Sequence, residues 1–181
     1  MSEFLDVLDE NGNLTGKKKL RTEVHKDGDW HKTVHIWIFN KEGKILLQRR
    51  CKDKDCFPNM LDLSVGGHIT AGDTSIKGAI REVKEEIGID IKEKDLRFLR
   101  TFKHNINYKN DFINNQFEDV YILEKTVELE ELEYQKEEIS ELIFIDLKTF
   151  KKMIDERNSE LLIRDEEFEF LFKFLKEINR Y

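Results

Sequence analysis

Regular alternation of apolar and polar residues predicts an N-terminal hairpin. Phe4 to Leu8 alternates in this way and precedes Asp9-Glu10-Asn11-Gly12, a sequence typical of a tight turn. Leu14 and the basic run Lys17 to Lys19 follow. We therefore expect residues 1–30 to form a hairpin extension ahead of the main sheet.

Segments rich in β-branched and aromatic residues predict that sheet. Val34 to Phe39 and Lys44 to Gln48 are separated by Asn40-Lys41-Glu42-Gly43, which suits a hairpin connection. Further strands are predicted at Leu61 to Val65, Arg97 to Phe102, Phe117 to Leu123 and Leu142 to Ile145. The stretch from Lys103 to Asn115 is rich in Asn and Lys and is predicted to be a loop.

Helical spacing of apolar residues predicts the helices. Ile80, Val83 and Ile87 form one stripe. We expect Asp73 to be the N-cap of that helix and Gly88 to end it in the left-handed conformation. Two C-terminal helices are predicted from Leu147 to Ile154 and from Asp165 to Ile178. Strands interleaved with helices indicate an α/β layered fold, and 181 residues suit a single domain.

Composition narrows the class of protein. The 38% charged residues, two cysteines and one proline are typical of a reduced, cytoplasmic protein. The formal charge of −7 weighs against a nucleic-acid partner, whose phosphates require a basic face. The acidic N-terminus is unlike a signal peptide, and no segment approaches the roughly 20 apolar residues of a membrane span. We expect a protein that handles a small molecule and has neither nucleic-acid nor membrane partners.

The clearest chemical signal lies between Gly67 and Ile89, GHITAGDTSIKGAIREVKEEIGI. Glu82 is three residues before Glu85 and four before Glu86, so on a helix the carboxylates lie along one side. Like charges at that spacing repel each other, and a hard divalent cation, which prefers carboxylate and phosphate oxygens, would offset the repulsion. The pattern predicts a metal site for diphosphate chemistry.

The same stretch resembles the Nudix box, G-x5-E-x7-R-E-U-x-E-E-x-G-U, where U is an aliphatic residue. The matching positions are Gly67, Arg81, Glu82, Val83, Glu85, Glu86, Gly88 and Ile89. Asp73 is the one departure, since the pattern has Glu there. The resemblance implies a single Nudix domain over residues 1–181, an α/β/α sandwich with a mixed central sheet, with the box at 67–89 and C-terminal helices at 147–181.

The resemblance also implies roles for the box residues. Glu82, Glu85 and Glu86 would bind Mg²⁺, or alternatively Mn²⁺, with the Gly67 carbonyl as a further ligand. Arg81 would hold a glutamate in position through a charge-assisted hydrogen bond. Family members take the general base either from a box glutamate or from an acid on a later strand or loop. Glu118 is the leading candidate of the second kind.

Outside the box, residues from about Val24 to Glu124 are most similar to the branch that contains type I isopentenyl diphosphate isomerase. That enzyme holds a metal with three histidines and two glutamates, and the matching positions here are His25, His31, His68, Gln116 and Glu118. Imidazole and carboxylate ligands suit Mn²⁺, Fe²⁺ or Zn²⁺. The isomerase has a catalytic cysteine where this chain has Gly66, and Cys51 and Cys56 in the preceding loop are predicted to be reduced thiols. The nearly complete box and the missing cysteine favour hydrolysis.

The basic loop from Gln48 to Lys54 supplies candidates for substrate binding. In the related enzymes this loop lies beside the diphosphate, which makes Arg49, Arg50 and Lys54 candidates for a phosphate grip. We predict a metal-dependent hydrolase that cleaves a diphosphate linkage in a nucleoside diphosphate derivative or a similar compound. An isomerase of isoprenoid diphosphates and a non-catalytic ligand-binding protein are the alternatives. A homodimer formed through the aromatic tail, Phe168 to Phe174, is the alternative to a monomer.

Overall fold

The protein, described by a computed structural model over residues 3–54, 56–108 and 112–181, is built around one mixed sheet. The strands are β1 (Phe4–Leu8), β2 (Leu14–Leu20), β3 (Trp30–Phe39), β4 (Lys44–Arg50), β5 (Leu61–Asp62), β6 (Val65–His68), β7 (Leu96–Tyr108), β8 (Phe112–Glu124) and β9 (Ile139–Asp146). The helices are α1 (Arg21–Asp27), α2 (Ser75–Ile87), α3 (Leu147–Asp155) and α4 (Asp165–Glu177).

Strand β3 is the centre of the sheet. It pairs in parallel with β8, where Thr33 lies opposite Glu118, and antiparallel with β6, where Thr33 lies opposite His68. β8 continues to β7, and β4 pairs with β5 and β9. This pairing places β6, which begins the box, and β8, which carries Glu118, as partners of the same strand, β3.

The two faces of β3 are covered by different helices. Val34, Ile36 and Ile38 are buried in one core cluster with Ala79, Val83 and Ile87 of α2. Trp37 and Phe39 are buried in a second cluster with Phe150 of α3 and with Phe168 and Leu171 of α4. Alternate residues of a strand point to opposite faces, so the sheet lies between two helical layers. The predicted α/β/α sandwich with a mixed sheet is confirmed.

The ends of α2 agree with the prediction at one terminus only. Gly88 has φ 77° and ends the helix in the left-handed conformation, as expected. Asp73 was expected to be the N-cap, and this prediction is wrong, because the cap is Thr74. The Thr74 backbone is extended, and its hydroxyl accepts a hydrogen bond from the Lys77 N–H at 3.4 Å. The Asp73 N–H instead donates to the Thr70 carbonyl at 2.9 Å, which places Asp73 in the preceding turn.

Other differences from the prediction lie outside the core strands. The N-terminal hairpin is present as β1 and β2, but the short helix α1 that follows has no predicted counterpart. Much of the predicted loop from Lys103 to Asn115 belongs to β7 and β8, since these polar residues pair across a long hairpin; residues 109–111 of it lie outside the described residues. None of the described helices is both long and apolar enough to cross a membrane.

Candidate functional site

A cleft of about 970 Å³ opens beside the N-terminal strand of the box. Its lining includes the box residues Gly67, Arg81, Glu82, Glu85 and Glu86 together with Arg50 and Lys54. Arg49 is not part of the lining. Its guanidinium pairs instead with Glu141 at 3.1 Å and with Glu160 at 3.0 Å. The structure therefore brings two of the three basic candidates to the box and leaves the third outside it.

Glu82 lies directly against the backbone of Gly67. A Cβ added to Gly67 would lie 2.1 Å from the Glu82 Cδ and 2.3 Å from Oε1, far inside any tolerated contact. β6 is fixed by its pairing with β3, and α2 is fixed by its apolar stripe, so a side chain at position 67 would displace the Glu82 carboxylate rather than either backbone. Glycine at position 67 is what allows the carboxylate to reach the sheet edge.

Glu86 is buried and has few partners. Among the described residues, its Oε2 accepts hydrogen bonds from the Gln48 side chain and the Gly66 N–H, and both are long, at 3.4 Å. Within the described parts of the chain, Glu86 forms no ion pair with any lysine, arginine or histidine. Burial, reinforced by the neighbouring Glu82, raises the pKa of Glu86 to about 8. Burial likewise raises the pKa of Glu82 to about 7, although Arg81 opposes it.

Arg81 ties the box helix to the sheet. Its guanidinium contacts Glu85 Oε2 at 2.7 Å and Glu82 Oε1 at 2.9 Å, and it donates to the carbonyl of His68 at 2.7 Å. One arginine thus orients two box glutamates relative to β6. Glu85 is the most accessible of the three glutamates, with 48% of its side chain exposed, and it faces the cleft.

These residues fit a divalent cation. Two buried carboxylates with raised pKa values are unfavourable as anions in the protein alone, and Glu86 lacks a cationic partner in the described residues. A hard cation prefers oxygen ligands of this kind and would supply the missing positive charge. The candidate metal ligands are Glu82, Glu85 and Glu86, beside Gly67.

Glu118 lies in a different environment from the box glutamates. It is fully buried and does not line the cleft. His104 Nδ1 lies 2.5 Å from its Oε2, while His35 Nε2 and Arg164 Nη1 approach its Oε1 at 3.6 and 3.7 Å. Burial favours the neutral acid, but these three groups outweigh it and lower the pKa of Glu118 to about 2. Glu118 is therefore an ionised carboxylate beside two histidines and an arginine.

His25, His31 and His68 form a compact cluster. One nitrogen of each ring lies within 4.8 Å of the others, and the Nε2 atoms of His25 and His68 are 3.2 Å apart. Burial lowers the pKa of His25 and of His31 to about 4, which leaves the neutral imidazoles that bind metals. His25 Nδ1 and His31 Nε2 are buried without a hydrogen-bond partner in the described residues. The three histidines could hold a transition metal.

The remaining members of the expected second site do not join this cluster. Gln116 pairs in register with His31, but its side-chain amide donates to Glu118. Glu118 groups with His35 and Glu167, whose candidate ligand atoms all lie within 4.8 Å of its own. The carboxylate and the three histidines thus belong to two neighbouring clusters. Cys51 and Cys56, which were expected to be thiols, are not joined as a disulfide.

Four residues around Glu118 were missed in the sequence: His35, His104, Arg164 and Glu167. Glu167 is fully buried and accepts a hydrogen bond from the Trp37 indole at 2.6 Å and contacts His35 Nδ1 at 3.0 Å. No local motif marks these residues. The single available signal is a charge inside the apolar stripe of α4, where Glu167 precedes the core residue Phe168.

The geometry of the box agrees with a comparison across known protein families, in which the NUDIX domain matches residues 29–164. The chain belongs to this family. It is 40% identical over 163 residues to Nudix hydrolase 3 of Arabidopsis thaliana. The matched region covers 86% of this chain but only 21% of that longer protein. It is 37% identical over 158 residues to an uncharacterized Nudix hydrolase of Clostridium acetobutylicum, covering 86% of this chain and 75% of that one.

Among solved structures, DR0079 from Deinococcus radiodurans matches this Nudix protein with a TM-score of 0.70 at 24% identity, covering 93% of this chain and 97% of the other. That similarity supports the fold. The expected resemblance to the isomerase branch is also confirmed. The isopentenyl-diphosphate Delta-isomerase of Serratia proteamaculans is 29% identical over 122 residues, covering 67% of this chain and 66% of that enzyme.

Proposed function

We propose that this Nudix protein is a metal-dependent hydrolase that cleaves a diphosphate linkage in a nucleoside diphosphate derivative or a similar compound. The observation that carries the proposal is the pair of buried box carboxylates, Glu82 and Glu86, beside Gly67. Arg50 and Lys54 line the same cleft, where they pair with Asp62 and Glu138, and they are the side chains that would contact phosphate groups. A small anionic substrate is therefore the partner that this cleft favours.

Mg²⁺ is the cation we assign to the box, with Mn²⁺ as the alternative, and Glu82, Glu85 and Glu86 would hold it. Bound there, the cation would neutralise charge that develops on the phosphate oxygens. Arg81 keeps two of the ligands oriented through its contacts with Glu82 and Glu85.

We assign the general base to a box glutamate, Glu85, because it is exposed to the cleft. It would take a proton from the attacking water as the new P–O bond forms and the bridging P–O bond breaks. Glu118 is less suitable, since it does not line the cleft and its pKa is lowered to about 2.

The histidine cluster supports a second proposal about the same protein. His25, His31 and His68 would bind Mn²⁺, Fe²⁺ or Zn²⁺ through their neutral imidazoles. This cluster and the isomerase relative are the observations that favour isomerase chemistry as an alternative function. Against it, Gly66 offers no thiol to protonate an alkene.

The test is a screen for release of phosphate and pyrophosphate with Mg²⁺ or Mn²⁺ across nucleoside, sugar-nucleotide and isoprenoid diphosphates. We expect Glu85→Gln, which removes the assigned base, to lose on the order of 100-fold or more in turnover. Glu86→Gln, which removes a metal ligand, should lose most of the metal-dependent turnover. Glu169→Gln, an exposed substitution on α4, is the matched control and should be unchanged. Full activity of either box variant at saturating Mg²⁺ would show that the proposed site is wrong. Isomerisation of isopentenyl diphosphate would release no phosphate, so product analysis separates the alternative.

A further inference from the structure

Two arginines from distant parts of the chain meet on one buried carboxylate in the cleft. Arg50 at the end of β4 places Nη1 3.3 Å from Asp62 Oδ2. Arg164, immediately before α4, donates from Nε and Nη2 to Asp62 Oδ1 at 3.2 and 3.1 Å. Burial alone would favour neutral Asp62, but the two guanidinium groups lower its pKa, so it stays ionised. Asp62 therefore joins the two arginines in a fixed arrangement.

The two arginines are the more exposed members of this group, and Asp62 lines the cleft beside them. The side chain of Arg50 is 20% exposed and that of Arg164 is 14% exposed, whereas Asp62 is 4% exposed and Glu118 is fully buried. Both arginines line the cleft that contains the box glutamates. Since arginine has donors and no acceptor, a group that contacts the two guanidinium groups must present acceptor atoms.

The pair also lies close to the proposed metal site. Asp62 is the register partner of Gln48, and the Gln48 side chain donates to Glu86. Arg164 retains donors for a ligand, because its Nη1 lies 3.7 Å from Glu118 Oε1 and makes no hydrogen bond with the described residues. Nε and Nη2 of Arg50 donate to the Cys56 carbonyl at 3.1 and 2.9 Å, which fixes this guanidinium beside the cleft. The remaining N–H groups of the two guanidinium groups suit the oxygens of a phosphate group.

We propose that Arg50 and Arg164 form a clamp for an oxyanion of the substrate, which makes Arg164 a substrate-binding residue. The proposal deepens the diphosphate hydrolase assignment and rests on it for the identity of the ligand. The oxyanion is either the scissile diphosphate or a second anionic group on the same substrate. In both cases the clamp contributes to binding rather than to the bond-breaking step, so its loss raises KM more than it lowers kcat.

Calorimetric titration with inorganic pyrophosphate and Mg²⁺ tests the clamp. Arg164→Lys keeps the charge against Asp62 but loses the fork, and we expect about tenfold weaker pyrophosphate binding and a KM raised by a similar factor. Arg164→Gln should weaken binding further. Arg157→Gln is the matched control, because Arg157 is exposed and pairs only with Asp165 among the described residues. A thermal unfolding midpoint of Arg164→Lys close to that of the wild type would verify that the fold is kept.

The outcomes separate the clamp from the hydrolase proposal. Weaker pyrophosphate binding locates the oxyanion in the scissile diphosphate, and a raised KM with unchanged pyrophosphate affinity locates it elsewhere on the substrate. Unchanged affinity and unchanged KM in both Arg164 variants overturn the clamp while hydrolysis still stands. If the protein hydrolyses nothing but Arg164→Lys still loses pyrophosphate affinity, the clamp stands and the hydrolase assignment fails.

Discussion

The carboxylate of Glu82 occupies the space that a side chain at Gly67 would need, since a Cβ there would lie 2.1 Å from the Glu82 Cδ. Gly67→Ala should therefore displace Glu82 from the metal site. We expect metal-dependent turnover to fall on the order of 100-fold, the cost of displacing a catalytic group by about 1 Å. Stability should change little, because Gly67 lies in a strand without a left-handed φ. Steady-state kinetics and thermal unfolding measure the two effects.

A double-mutant cycle isolates that contact. If Gly67→Ala acts by moving Glu82, then adding it to Glu82→Ala should cause no further loss of turnover. Additive losses of turnover in the double variant would mean that Gly67→Ala acts on something other than the Glu82 carboxylate.

The box carboxylates should make the metal-free protein sensitive to pH. The pKa of Glu86 is about 8 in the folded state, above its ordinary value of 4.5, so its stabilising contribution is present at low pH and is lost as pH rises through 8. Between pH 7 and 8.5 we expect a loss of about 1 kcal/mol from this group. The buried histidines, with lowered pKa values, contribute their own change below about pH 6.5. Glu82, with a pKa of about 7, adds a smaller loss at the lower end of this window.

Chemical unfolding with a chelator at the two pH values measures this loss. Glu86→Gln should flatten the pH dependence, and Mg²⁺ should stabilise the wild type more at pH 8.5 than at pH 7. Equal pH slopes in the wild type and in Glu86→Gln would contradict the assigned environment of Glu86.

The histidine cluster should bind a transition metal independently of the box. In a Glu86→Gln background, we expect Zn²⁺ to bind with an affinity that falls at least about tenfold when His31→Gln is added, because one of three imidazole ligands is lost. His104→Gln is the control, since His104 contacts Glu118 rather than the cluster. Calorimetric titration provides the affinities. An equal effect of the two histidine substitutions would count against the cluster as the site.

Glu167 should stabilise the folded protein through its hydrogen bond with the Trp37 indole. The indole N–H donates to Glu167 Oε1 at 2.6 Å, and both side chains are buried. Trp37→Phe leaves that carboxylate oxygen without its donor, and we expect a loss of about 1–3 kcal/mol in the free energy of unfolding. Trp30→Phe, at a partly exposed ring beside Phe117, should cost less. Urea denaturation compares them, and equal losses would contradict this role.

Sequence patterns predicted the parts of the fold that depend on local periodicity. The stripe of Ile80, Val83 and Ile87 defines α2, and the spacing of Glu82, Glu85 and Glu86 predicts their shared side of that helix. The helix α1 was missed because seven residues carry too little periodicity to distinguish it from a turn. The extent of β7 and β8 was missed because polar residues there are held by cross-strand pairing, which no single segment records.

The environment of Glu118 could not be predicted for the same reason. Its neighbours come from β3, from β7 and from the residue before α4, so their proximity depends on the completed sheet. The sequence identified Glu118 as an acid of interest. Its burial and its contacts with His35, His104 and Arg164 follow only from tertiary structure.

The order in which the residues are synthesised determines when the contacts of Glu118 can form. Glu118 leaves the ribosome well before Arg164, which supplies one of the charges that compensate it in the folded protein. Until Arg164 and Glu167 have emerged, β8 can pair with β3, but its carboxylate lacks part of its counter-charge and Trp37 lacks its acceptor. The nascent sheet therefore reaches its full stability only after α4 has been synthesised and has docked.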